Sequence, residues 1–176
     1  MKTHIRVVAT LSLKNIVIAA IHNPDSHSPS WHKEEPGTFS HLPRPINLSL
    51  ARLCQALPIH LAVVDGVVGK EGNGPVKGAP VKSGMALAGT DALAVDLVGA
   101  ELMGFDPWTN GYLWYLSQLC NVSREDVLVA GEDLAKCATR YNPSDNMQEI
   151  LAWWVPDWQK YLQGNYFKEP PTGKAV

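Results

Sequence analysis

The sequence predicts an α/β fold: a mainly parallel sheet flanked by helices, with a tryptophan-rich helical segment at the C-terminal end. Three observations carry this reading. Ile59 to Val64 is a hydrophobic run of strand length, as a strand buried on both faces would be. Ala92 to Met103 is an apolar stretch of helix length that stops at Gly104. Strand-like and helix-like segments alternate along the chain, the pattern of a sheet covered by helices.

Taken in order, Ile5 to Leu13 is rich in β-branched and aliphatic residues and reads as a buried strand closed by Lys14-Asn15. Ile16 to Ile21 continues as a second strand or a short helix. The stretch from His22 to Pro45 holds five prolines and four histidines and shows almost no periodicity. A loop of that length is usually functional or disordered. Asn47 to Leu57 places Leu50, Leu53, Cys54 and Leu57 on one helical face, and Pro58 ends it. After the Ile59–Val64 strand come a glycine-rich loop, a short strand at Met85–Ala88, and a helix capped by Thr90 with Asp91 in its first turn. Pro107 to Leu119 reads as a further helix. Ser123–Asp126 has the letters of a helix start, and Val127–Ala130 those of a strand. Met147 to Leu162 is a helix that Pro156 should kink or split, and Lys168 to Val176 is a frayed tail. The expected organisation is therefore an α/β domain over 1–145, a helical extension over 146–167 and a flexible tail over 168–176.

The 176 residues are 45% hydrophobic and 18% charged, with a net charge of −2, which suits one globular domain. Lys and Arg are scattered, so no nucleic-acid footprint is expected. The apolar runs are too short to span a bilayer, and no secretory leader pattern opens the chain. Cys54, Cys120 and Cys137 are widely spaced and form no Cys-x-x-Cys, so this chain alone is expected to hold no zinc knuckle or iron–sulfur cluster. Free thiols fit a reducing, cytoplasmic setting.

Chemistry concentrates in the segment from Asp65 to Pro80, which carries Gly66, Gly69, Gly72, Gly74 and Gly78. Asp65 is expected where a buried strand runs out, the place where open α/β sheets bind ligands. If the loop folds back, Asp65 and Glu71 converge with Asn73 on a hard divalent cation such as Mg²⁺ or Ca²⁺. The same loop could instead nest a small anion, with Gly72, Asn73 and Gly74 supplying backbone N–H groups and Lys70 and Lys77 neutralising charge. A plain glycine-rich turn, with Asp65 capping backbone N–H groups, is the third reading. The segment matches neither a P-loop nor a dinucleotide fingerprint.

Three further acid and base positions stand out. Asp96 lies in the apolar run Ala94–Val98, where a buried carboxylate must be paired or shifted in pKa, so it is either structural, paired with a lysine such as Lys14, or a general acid or base. Lys14 and Asn15 follow a buried strand and would flank the same site, with Lys14 a catalytic candidate alongside Asp65 and Asp96. Asp91 opens the next helix and could point at it. His4 is expected at the far end of its strand from Lys14. His22, His27, His32 and His41 have spacings that match no standard metal site.

Three segments taken together resemble a known family: Lys2-Thr3-His4 leading to Thr10–Asn15, the Asp65–Pro80 loop, and Ala88–Asp96 running on to Met103–Asp106. Their order and spacing resemble the C-terminal half of domain-of-unknown-function family 362, over about Lys2 to Leu119. Members are often associated with iron–sulfur or ferredoxin proteins. The resemblance implies a redox-linked enzyme, with a ferredoxin-like partner supplying the cluster. Members usually carry an upstream half with a Lys-Pro-Asn signature and cysteine-rich cluster motifs. Neither is in this chain, so the resemblance also implies a fragment-like chain whose partner is that missing half. The alternative is a non-catalytic assembly module that docks a partner chain, or a second copy, through its tryptophan-rich C-terminus, with Trp153 and Trp158 as the contacts.

Overall fold

The computed structural model describes residues 1–20 and 42–162. The four histidines and most of the proline-rich stretch, together with the expected tail, lie outside the described residues.

A four-stranded sheet in the order β2-β1-β3-β4 forms the frame. The strands are β1 (Lys2–Thr3), β2 (Ala9–Thr10), β3 (Ala62–Asn73) and β4 (Lys77–Gly89). β1 and β2 are antiparallel, β3 and β4 are antiparallel, and β1 pairs with β3 in parallel through Lys2 opposite Lys70. The α/β class therefore holds, but the sheet is mostly antiparallel. The physical reason lies in β3. Ala62, Val64, Gly66 and Gly69 are buried whereas Val63 is 65% exposed and Val67 57% exposed. That alternation belongs to a strand with one solvated face, and the pairs Val63-Val64 and Val67-Val68 conceal it from a reader of the sequence.

The glycine-rich stretch is consequently no loop at a strand end. Asp65 to Asn73 lies within β3, Lys77 onwards within β4, and the two make one long hairpin from Ala62 opposite Gly89 to Asn73 opposite Lys77. A register shift between Gly66 and Val68 kinks it. Ile5–Leu13, expected as one strand, is extended only at Ala9–Thr10, and helix α1 (Ser12–Ala20) starts before Lys14.

Helix α2 (Pro43–Ala56) begins four residues ahead of expectation, because Pro43 and Pro45 occupy its first turn, where the missing N–H costs nothing. Helix α3 (Ala92–Leu102) has Asp91, not Thr90, as its N-cap, accepting from the Leu93 and Ala94 N–H groups at 2.8 and 3.0 Å. Pro107–Thr109 is a single 3₁₀ turn before α4 (Gly111–Cys120), so the expected Pro107–Leu119 helix is broken at Asn110. Arg124–Asp126 is another 3₁₀ turn with a capping box, and no strand forms at Val127–Ala130, where Leu128 is 95% exposed.

The C-terminal part adds α5 (Leu134–Cys137), α6 (Met147–Leu151) and α7 (Gln159–Leu162), and Pro156 lies in the gap that splits the last expected helix. Residues of this expected extension are part of the main core: Trp153, Val155, Trp158 and Leu162 pack in one cluster with Leu50, Leu113 and Tyr115. Trp114 stacks edge-on to Trp158 at 5.7 Å, and Tyr115 edge-on to Trp153 at 5.3 Å. The Trp153 indole donates to the Thr109 carbonyl at 2.9 Å. These two tryptophans are thus buried in the protein's own core, while Trp154, 51% exposed, faces solvent. Among the described residues no helix is long and apolar enough to cross a membrane.

Candidate functional site

Two polar regions come out of the fold. The first is the hairpin tip. Two of its glycines serve protein packing: a Cβ on Gly69 would run into the Tyr141 hydroxyl, and one on Gly74 into the Thr3 carbonyl. Tyr141 lies against the hairpin with its hydroxyl 2.7 Å from that of Ser83. β1 is laced to the tip by the Thr3 hydroxyl on the Gly72 carbonyl at 2.7 Å and the Ile5 N–H on the Gly74 carbonyl at 3.0 Å.

The polar side chains of the tip are likewise engaged with their own chain. Glu71 accepts from the Asn142 backbone N–H at 2.7 Å and from its side-chain amide at 2.9 Å. Asn73 accepts from the Ser144 hydroxyl and the Asp145 N–H, and donates to the Asp145 carboxylate at 2.7 Å. The Lys70 ammonium donates to the Pro75 carbonyl at 3.1 Å, while Lys77 is exposed. Asp65 is exposed and accepts from the Val67 N–H at 2.9 Å, the backbone-capping geometry of the plain-turn reading. Asp65 and Glu71 do not converge: six residues apart on one strand, they are separated by roughly 20 Å. Among the described residues no group of three or more His, Cys, Asp or Glu side chains is placed to hold a metal ion.

The second region is buried, at the corner where β1 and β2 meet α1. Asp96, fully buried on α3, accepts four hydrogen bonds. They come from the Ser12 N–H at 2.8 Å, the Ser12 hydroxyl at 2.5 Å, the Leu13 N–H at 3.1 Å and the Tyr112 hydroxyl at 3.3 Å. It thus caps the N-terminus of α1 from another helix, satisfying two of the helix's first-turn donors. Burial pushes its carboxyl up to about 6 while those donors pull it the other way. The expected Asp96–Lys14 pairing is not formed: helix capping, not an ion pair, supplies the partners of this acid.

Lys14 is instead 7% exposed and places its amine 3.4 Å from Nε2 of His4, itself 6% exposed. Among the described residues no carboxylate makes an ion pair with it. Burial, with added repulsion from the Lys2 ammonium, lowers its pKa from the ordinary 10.5 to about 8. His4 is thus its neighbour, contrary to the expectation that it lies at the far end. The chain folds back between the two residues, because β1 and β2 are antiparallel, with Thr3 opposite Ala9. Nδ1 of His4 accepts the Arg6 N–H at 3.0 Å, which makes the ring neutral with its proton on Nε2.

Of the other expected contacts, Asn15 is exposed on α1 and Asp91 is occupied as a helix cap. The acid and base candidates Lys14 and Asp96 fall in one neighbourhood, both bound up with α1; Asp65, Glu71, Gly72, Asn73, Gly74 and Lys77 belong to the hairpin. Sequence reading missed Ser12, Tyr112 and Tyr141. Ser12 carried a signal, a hydroxyl residue two positions before a lysine at a helix start. Tyr112 and Tyr141 carried none, since each acts across more than a dozen residues of chain.

A curated relative is a thylakoid-associated protein of Synechocystis sp., 28% identical over 112 residues, which are 62% of this chain and 32% of that protein. The chain thus spans about a third of the length of the curated relative it matches. No solved structure matches. The profile of the family described as Domain of unknown function (DUF362) matches residues 1–101, which cover β1 to β4, α1, α2 and most of α3. The chain belongs to the DUF362 family.

Proposed function

We propose that this chain carries the proton-transfer centre of an enzyme acting on a small anionic substrate, with the Lys14 amine and the His4 imidazole as the reacting pair. The observation that carries this reading is the 3.4 Å contact between two nearly buried titratable side chains. With the ring proton on Nε2, an ammonium at Lys14 would oppose donor to donor, whereas a free amine accepts that proton. The contact therefore favours a lysine poised to exchange a proton near neutral pH. Lys2, close enough to repel Lys14, supplies positive charge for an anion. The redox association implied by the family would place this centre beside a cluster carried by a ferredoxin-like partner.

The test is a carbon-13 NMR titration of the lysine ε-methylenes. Lys14 should titrate near pH 8, apart from the other lysines, and His4→Gln should move that midpoint. A Lys14 that titrates with the bulk of the lysines sinks the reading. The assembly alternative rests on a different observation, the exposure of Trp154 beside Leu151, which is 42% exposed. Trp154→Ala would weaken self-association in sedimentation measurements if that face docks a second copy.

A further inference from the structure

The groups around Lys14 suit one kind of ligand. Lys2 and Thr10 are direct cross-strand partners on β1 and β2, so their side chains rise from the same face of the sheet. Thr10 is 1% exposed, and among the described residues its hydroxyl has no hydrogen-bond partner. A buried, unused hydroxyl is costly unless something occupies it. Across the strand from it stands a cation, Lys2, whose charge also reaches the Lys14 amine held against His4 at the start of α1. A cation and a hydroxyl suit a carboxylate, and the free-amine form of a lysine suits a carbonyl carbon. Both groups occur together in a 2-oxo acid.

We infer that Lys14 is an amine nucleophile that forms an imine with a small 2-oxo acid, whose carboxylate is held by Lys2 and the Thr10 hydroxyl. This rests on the reading of Lys14 and His4 as the reacting pair. In the first step the Nζ lone pair bonds to the carbonyl carbon, and the C=O π pair moves onto oxygen. In one exchange the His4 Nε2 proton passes to that oxygen as Nε2 takes a proton from the newly formed ammonium nitrogen, so the ring stays neutral. The carbinolamine then loses its hydroxyl with the remaining nitrogen proton as water, and the nitrogen lone pair closes the C=N bond. Amine and oxo acid give imine and water, with no net gain or loss of protons.

The experiment uses the full chain with pyruvate as probe and cyanoborohydride as the trap, read by intact mass and peptide mapping, while pyruvate binding is followed separately by calorimetry. A single reduced adduct on Lys14 is expected, formed on the order of a hundredfold faster than on surface lysines, because far more of a lysine titrating near 8 is free amine at pH 7. Hydroxyacetone, which has the carbonyl without the carboxylate, should react more slowly, and Lys2→Met should erase that difference. His4→Gln should slow trapping without abolishing pyruvate binding. The mapping on unaltered protein does not depend on any variant folding, and urea-unfolded protein should lose the site preference. Adducts scattered over surface lysines, or hydroxyacetone reacting as fast as pyruvate, would overturn the inference. Pyruvate binding without an adduct on Lys14 would overturn it and spare the proton-transfer reading. A Lys14 that neither reacts nor titrates apart from the other lysines would overturn both.

Discussion

The hairpin tip and the β1–α1 corner are both furnished with carboxylates, lysines and hydroxyls, yet they solve different problems. At the tip, Glu71, Asn73 and Lys70 lie near the surface and spend their hydrogen bonds on Asn142, Ser144, Asp145 and Pro75. Such contacts sit in high dielectric and hold two stretches of chain together cheaply. At the corner, Asp96 and Lys14 lie in the interior, where the same charges shift their proton affinities. A dense run of polar and glycine letters thus marked a brace, and two isolated letters inside apolar runs marked the chemically strained place.

Variants can break that contrast, and the largest effect should come from Asp96→Ala. It strands four buried donors, and equilibrium urea unfolding should register a loss of roughly 4 kcal/mol or more. A loss below about 1 kcal/mol would mean that α1 is held by packing alone. Lys14→Met should act in the opposite direction. A base whose folded pKa is lowered from 10.5 to about 8 binds its proton less tightly when folded. Its penalty is full below pH 8 and is relieved as pH rises toward 10.5. The variant should therefore gain on the order of 3 kcal/mol at pH 7 and lose the rise in stability between those values. Stabilisation on removing a candidate reacting group is the mark of a site kept for function.

Gly69→Ala comes next, at about 2 kcal/mol, because the new Cβ meets the Tyr141 ring. Tyr141→Phe in the same background should return little, since the ring and not only the hydroxyl is in the way. Glu71→Gln should be smallest, under about 1 kcal/mol, since an amide oxygen still accepts from Asn142 near the surface. A collapse of the fold in Glu71→Gln would show that the tip is far less forgiving than its exposure suggests. Thermal melts of the two hairpin variants decide both.

The sequence carried the α/β class, the helix stop at Gly104, the break at Pro156 and the identity of Lys14 and Asp96 as unusual positions. It misread strand direction. Val63, Val67 and Val68 look like core on paper, and only pairing with β4 reveals that they face outward. The glycines alone are ambiguous on paper, because a close approach by Thr3 or Tyr141 leaves the same residue requirement as a close approach by a ligand. The Lys14–His4 contact was hidden by the expected strand over Ile5–Leu13. Read as continuous, it sends the two residues to opposite ends; folded back and turned into α1 at Ser12, it brings them together.

The hairpin also sets an order of events. β3 and β4 are joined by a short turn and make their contacts locally, whereas Met1–Ile5 reaches the tip from about seventy residues upstream and Asn142–Asp145 from about seventy downstream. Closing two long loops is slow relative to zipping one hairpin. The central ribbon is therefore expected to acquire amide protection early in refolding, with both flanking stretches clamping onto it late. Pulse-labelled hydrogen exchange would resolve these phases, and simultaneous protection of Ile5, Gly72 and the β3–β4 ladder would rule the sequence out. On this account the corner that holds Lys14 and His4, ten residues apart, can form locally, and it is fastened to the sheet only when distant parts of the chain have been gathered onto one ribbon.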